Sequence, residues 1–217
     1  NGNPRVQSNA LNFEAVTISE LLSRLGPTVI TVEKQIETQL NAAISKIKDS
    51  LAESYQKQIE AICLGLASLP PHIPIKILAK AAEVSTETIK SFVADFGRSL
   101  WVLDESVQFR DEPTETWFRK TYLGNKENFE IYINLLEPLA ENYTYVAEVL
   151  PHLYLQAEKY DKLIKIALSD DYLPKDNPID ARNVRVYRLQ FAFRASLKLK
   201  QYYDSIKIAV RAGEEVA

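Results

Sequence analysis

The chain has 217 residues, 46% of them apolar and 25% charged, with a net charge of −3. This is ordinary globular composition, with room for one large or a few small domains. It excludes the basic footprint of a protein that coats nucleic acid or an anionic membrane. A single cysteine excludes an internal disulfide and points to a reducing, cytoplasmic setting.

No apolar run approaches about 18 residues, so no membrane span is expected. The polar start, Asn1-Gly2-Asn3-Pro4-Arg5, is not a signal peptide. With 6 glycines, 10 prolines and long helical periodicities, the chain should be mainly α. It contains no methionine, even at its start, and reads as a piece of a longer protein.

Residues 1–50 predict a small helical bundle. Val6–Phe13 is a short helix, and Ile18, Leu21, Leu22 and Leu25 mark a second, closed by Gly26-Pro27. Val32, Ile36, Leu40, Ile44 and Ile47 give a third an apolar stripe, with Glu33, Lys34, Glu37, Lys46 and Lys48 opposite. A break is expected near Asp49-Ser50.

Residues 51–123 read helix, helix, helix, two short strands, helix. Ile59, Ile62, Cys63 and Leu66 share one helix face, which Leu69-Pro70-Pro71 ends because proline lacks an amide donor. Ile75, Leu78, Ala79 and Ala82 form the next face. Ser85 is a natural N-cap for a helix carrying Ile89, Phe92, Val93 and Phe96, with Gly97 at its end. Leu100–Leu103 and Val107–Phe109 flank the polar turn Asp104-Glu105-Ser106, a hairpin signal without glycine. Asp111-Glu112-Pro113 opens a last helix bearing Trp117, Phe118 and Tyr122. This order is that of a winged helix-turn-helix, with Trp101, Trp117 and Phe92 expected in one core.

Residues 124–217 are helical again. Phe129, Tyr132, Ile133, Leu136 and Leu139 share a face, and Tyr145 to Leu155 provide the next. A helix at Tyr160–Leu168, a long helix from Ile179 to Leu199 carrying Val186, Leu189, Phe193 and Leu197, and a last one from Tyr203 to Ala212 follow. The stretch Tyr160–Ala167 resembles Tyr203–Ala209, each after a longer helix, at an offset near that of tetratricopeptide-like (TPR-like) pairs. Two copies are few for a stable array, so the array is expected to continue past Ala217. A generic helical bundle is the alternative.

No catalytic constellation is visible. His72 lies in a proline-flanked loop, His152 follows Pro151 in a helical stretch, and neither neighbours a nucleophile in sequence. Cys63 lies on an apolar stripe, the spread of two His and one Cys does not suggest zinc, and no Walker-type phosphate loop is present. The winged-helix order invites DNA binding, but residues 51–122 carry 8 Lys and Arg against 10 Asp and Glu. The would-be recognition helix offers Lys90 against Glu87 and Asp95, and Asp104-Glu105 at the wing tip repel phosphate.

Two motifs join this order of domains: Gly2-Asn3-Pro4-Arg5 at the start, and Val107-Gln108-Phe109-Arg110-Asp111-Glu112 ahead of the Trp117-Phe118-Arg119 helix. Together they resemble the C-terminal part of a STAND-class NTPase, the signalling branch of P-loop proteins that includes NACHT and NB-ARC relatives and bacterial antiviral members.

The resemblance implies a mainly α chain with a truncated helical lid bundle (1–50), a winged helix with one β-hairpin (51–123) and TPR-like sensor repeats (124–217). Gly2 and Pro4 resemble the lid motif that packs on adenine, and Arg5 falls where a sensor arginine follows it. Arg110 stands where the family usually has a histidine that contacts the β-phosphate of ADP. The alternative pairs Arg110 with Asp111, Glu112 or Glu115. The resemblance implies no enzyme activity in this segment and no cofactor bound by it alone, with ATP or ADP held only by the full-length protein. Its partners would be its own nucleotide-binding domain and a protein ligand of the repeats, with no nucleic acid and no membrane. A transcription regulator and a protein-binding scaffold are the competing readings.

Overall fold

The computed structural model describes residues 32–49 and 53–216. The two earliest expected helices, with Gly2, Pro4 and Arg5, lie outside the described residues. The rest is mainly helical, with a small three-stranded antiparallel sheet.

Helix α1 (Val32–Asp49) buries Leu40, Ile44 and Ile47, the stripe read from its spacing. Helix α2 (Glu53–Ser68) buries Ile59, Ile62, Cys63 and Leu66 and stops ahead of Pro70-Pro71. Strand β1 (Ile73–Pro74) follows, where the sequence reading placed only a loop. Helix α3 (Ile75–Ala81) ends as Glu83 turns to φ 53° and Val84 N–H donates to the Ala79 carbonyl. The Ser85 hydroxyl then accepts from Thr88 N–H at 3.1 Å and caps α4 (Thr86–Phe96).

Strands β2 (Leu100–Leu103) and β3 (Ser106–Phe109) form the hairpin, and the sheet order is β1-β3-β2. The turn is the residue pair Asp104-Glu105, at φ 49° and 57°, a left-handed geometry that glycine usually supplies. The Glu105 carbonyl accepts from Ile75 N–H at 2.8 Å, so α3 holds the turn from outside. Val107 lies between Val102 and Ile73 and is buried.

The expected three-ring core forms only in part. Leu100 points inward, so strand alternation turns Trp101, opposite Gln108, to solvent, where it is 48% exposed. The aromatic cluster centres instead on Phe118 of α5 (Glu112–Tyr122), whose neighbours are Phe96, Phe109, Trp117 and Tyr122, while Phe92 stacks on Phe96. Asp111 caps α5 by accepting from Thr114 N–H at 2.9 Å.

Helix α6 (Lys126–Leu136) starts with a reciprocal Asn125–Asn128 cap and packs on α3. The junction is tight. Arg119 donates to the Ala67 and Leu69 carbonyls at the end of α2, Gly124 N–H donates to Ser68 Oγ, and the Tyr145 hydroxyl donates to the Pro70 carbonyl at 2.7 Å. A Cβ on Gly124 would lie 2.9 Å from Asn128 Cβ and 3.1 Å from Ser68 Oγ. Gly124→Ala is therefore expected to cost about 1–3 kcal/mol in urea unfolding. Gly213→Ala, which meets nothing within 4 Å in its helix, should gain up to about 1 kcal/mol.

The last four helices are α7 (Thr144–Gln156), α8 (Tyr160–Ala167), α9 (Pro178–Lys198) and α10 (Tyr202–Val216). The turn between α7 and α8 recurs, bond for bond, 42 residues later between α9 and α10. Ala157, Glu158 and Lys159 amides donate to Leu153, Leu155 and Tyr154 carbonyls, as Leu199, Lys200 and Gln201 do to Ala195, Leu197 and Ser196. Glu158 and Lys200 both take the left-handed conformation, at φ 56° and 59°. Tyr160 therefore corresponds to Tyr202, one place earlier than the sequence match with Tyr203. In α9 the buried face is Val184, Arg188, Leu189, Ala192, Ala195 and Ser196, not the expected stripe through Phe193 and Leu197. Small residues face inward there because α7, α8 and α10 all approach this helix.

Candidate functional site

The outer face of α4 and the hairpin form one surface. Lys90, the single cation of α4, lies 3.5 Å from Glu105 at the hairpin tip. Glu87 and Asp95 of α4 and Asp104 of the hairpin turn are also exposed. Glu87 keeps its carboxyl below the usual carboxylate range through its own backbone N–H and then the Thr86 and Ser85 hydroxyls, so this face is anionic at neutral pH. Beside it, β2 is an edge strand that exposes Trp101, Val102 and Leu103. Apolar side chains rimmed by acids suit a protein surface and repel a phosphate backbone.

Arg110 follows β3 and is exposed, its N–H donating to the Ser99 carbonyl. Two of the three alternative partners are engaged elsewhere: Glu115 pairs with Arg119 at 2.9 Å and Asp111 caps α5. Gly2, Pro4 and Arg5 lie outside the described residues, so Arg110 is the one sequence-predicted site residue with a described position.

His72 is exposed in the loop before β1. His152 sits edge-on to Phe129, and burial, then the Arg119 charge, lower its pKa, which keeps the ring neutral at pH 7. Burial pushes the Cys63 thiol up to about 12, which makes it inert. Among the described residues no group of three or more His, Cys, Asp or Glu could hold a metal ion, and no helix is long and apolar enough to cross a membrane.

A polar cluster in the helical region has no counterpart in the sequence reading. Glu137 accepts from the Tyr154 hydroxyl at 2.5 Å and from Lys162 at 2.7 Å, and the Tyr172 hydroxyl joins them. Arg188, wholly buried, donates to the Asp171 and Tyr172 carbonyls. Burial lowers its pKa to about 10, so it stays charged at pH 7. The available signal was its place on a helix face between Val184 and Ala192.

Burial alone would raise the Glu137 pKa, but the bonds from Lys162, Tyr154 and Tyr172 outweigh it and hold the value below the ordinary 4.5. Its contribution to stability is thus complete above that value and is lost as pH falls through the lower folded-state value. Glu137→Gln should flatten the acid side of a plot of urea midpoint against pH.

No protein-family model matches the chain, and no curated protein matches it in sequence.

Proposed function

We propose that the chain is a non-catalytic regulatory and sensor segment of a STAND-class signalling NTPase, made of a lid bundle (1–50), a winged-helix module (51–123) and TPR-like repeats (124–217). The observation that carries this reading is the face of α4 and the hairpin. Its one helix cation is paired with Glu105, its rim is acidic, and its edge strand exposes apolar side chains. Such a module docks on protein. In this reading it packs on the nucleotide-binding domain while ADP is bound and swings away on exchange, and Arg110 reaches the β-phosphate. The helical pairs take a protein ligand.

The test compares the full-length protein with its Trp101→Phe variant, so that the difference in emission reports Trp101. ADP should shift Trp101 emission to the blue relative to ATP, and no nucleotide-dependent change would sink the reading. Arg110→Ala should weaken ADP binding about tenfold or more, the loss of one charge-assisted contact, read by calorimetry. The transcription-regulator alternative requires a gel shift that weakens with salt, and none is expected even at low ionic strength.

A further inference from the structure

The small sheet guards one of its two edges and leaves the other open. At one edge β1 is two residues long and includes Pro74, which has no amide to offer. At the other, β2 carries neither proline nor charge and exposes Trp101, Val102 and Leu103. The direction of its backbone groups follows from the ladder. Arg110 N–H donates to the Ser99 carbonyl at 3.0 Å, and pairing alternates from there, so Ser99, Trp101 and Leu103 turn their backbone groups to β3. Leu100 and Val102 turn theirs outward, and no backbone bond joins them to a described residue on that side. An apolar strand with unmet amides and carbonyls is a template for another strand.

We infer that β2 is a self-association site, where a second copy of this chain adds its own β2 antiparallel and joins the two three-stranded sheets into one. The hydrogen bonds fix the axis. Outward groups must face outward groups, which leaves two-fold axes at residue 100, 101 or 102. An axis at 100 draws in position 98, which lies in the short turn Gly97–Ser99, and one at 102 draws in Asp104 of the hairpin turn. Only the axis at Trp101 pairs Leu100 with Val102 of the second copy twice over, with every bonded residue inside a strand.

That register is complementary in two further ways. Trp101 meets Trp101 of the second copy in a non-bonded pair, with Cα atoms about 4.5 Å apart, the closest cross-strand approach. Leu103 falls beside Ser99 of the second copy, so the exposed apolar side chains of both copies run together across the axis. The charges also match. Asp104 of each hairpin falls at the register position of Arg98 of the other copy, one strand away from its exposed Arg110. Docking on a nucleotide-binding domain would cover the same strand. The inference therefore rests on that reading of the hairpin as a protein-binding face, and gives it a second, mutually exclusive occupant.

The test uses the full-length protein without nucleotide. Sedimentation should show a dimer half-formed at about 100 µM or below, the strength of a small interface. Val102→Pro removes an outward amide and spares the bonds to β3, and should raise the dissociation constant at least about tenfold. Trp101→Cys should give a disulfide-linked dimer on mild oxidation, whereas Val102→Cys, with Cα atoms about 8 Å apart, should not. Ser99→Cys mixed with Leu103→Cys checks the same register with both copies of Trp101 in place, and should cross-link only in the mixture. Cys63 is buried and does not compete. Two results would each overturn the inference: a monomer at about 100 µM (the strand is covered or serves another class of partner), or a dimer that these cysteines do not bridge (the copies meet elsewhere). Either failure leaves the ADP-dependent shift of Trp101 emission standing, and loss of that shift leaves the dimer standing, so the two readings fail separately.

Discussion

Replacing Phe118 by alanine is expected to lower stability by about 3–5 kcal/mol, the largest effect of any single truncation in the hairpin module. Phe118 is fully buried and its ring meets four others: Phe109 at 5.1 Å, Trp117 at 5.3 Å, Phe96 at 5.5 Å and Tyr122 at 5.6 Å. These come from α4, β3 and α5 itself, so the cavity opens where three elements meet and none can close it without leaving another partner. A total stability of roughly 5–15 kcal/mol leaves little margin for that loss. The thermal midpoint should fall by roughly 10 °C, and the near-ultraviolet signal of Trp117 should weaken before the helical signal does. A change below about 1 kcal/mol would mean that the cluster does not organise this core.

The second large effect is expected at Arg188. Arg188→Ala removes the donors that hold the Asp171 and Tyr172 carbonyls and leaves a cavity in the middle of α9. The cost should be about 2–4 kcal/mol. Lysine should restore only part of it, because an ammonium cannot reproduce a planar fork aimed at two carbonyls. The local signature is specific: amide exchange in residues 168–177 should rise more than in α7, since the guanidinium bonds two of that loop's carbonyls to the helix. Equal acceleration everywhere would contradict this role.

The sequence showed most of the elements because their signals are local. Ser85, Asp111 and Gly97 are caps whose chemistry acts within one turn, and all three stand where expected. The stripe through Ile59, Ile62, Cys63 and Leu66 faces inward as its spacing required. Tertiary choices were not visible. Trp101 looked like a core residue by size, but the register of one hairpin turned it outward. The strand at Ile73-Pro74 exists only because β3 offers it an edge. In α9 the apolar residues cover more than one face, so composition could not say that alanines would be buried and Phe193 left outside. Arg188 was overlooked because charge usually means surface, and the carbonyls that accept from it lie 16 and 17 residues away.

The clamp between α2 and the helical region has a mechanical consequence. Arg119, Ser68, Gly124, Tyr145 and the Pro70 carbonyl hold the turn after α2, the end of α5 and the start of α7 together. Any hinge motion between the module that holds the hairpin and the helices that follow would have to break these bonds first.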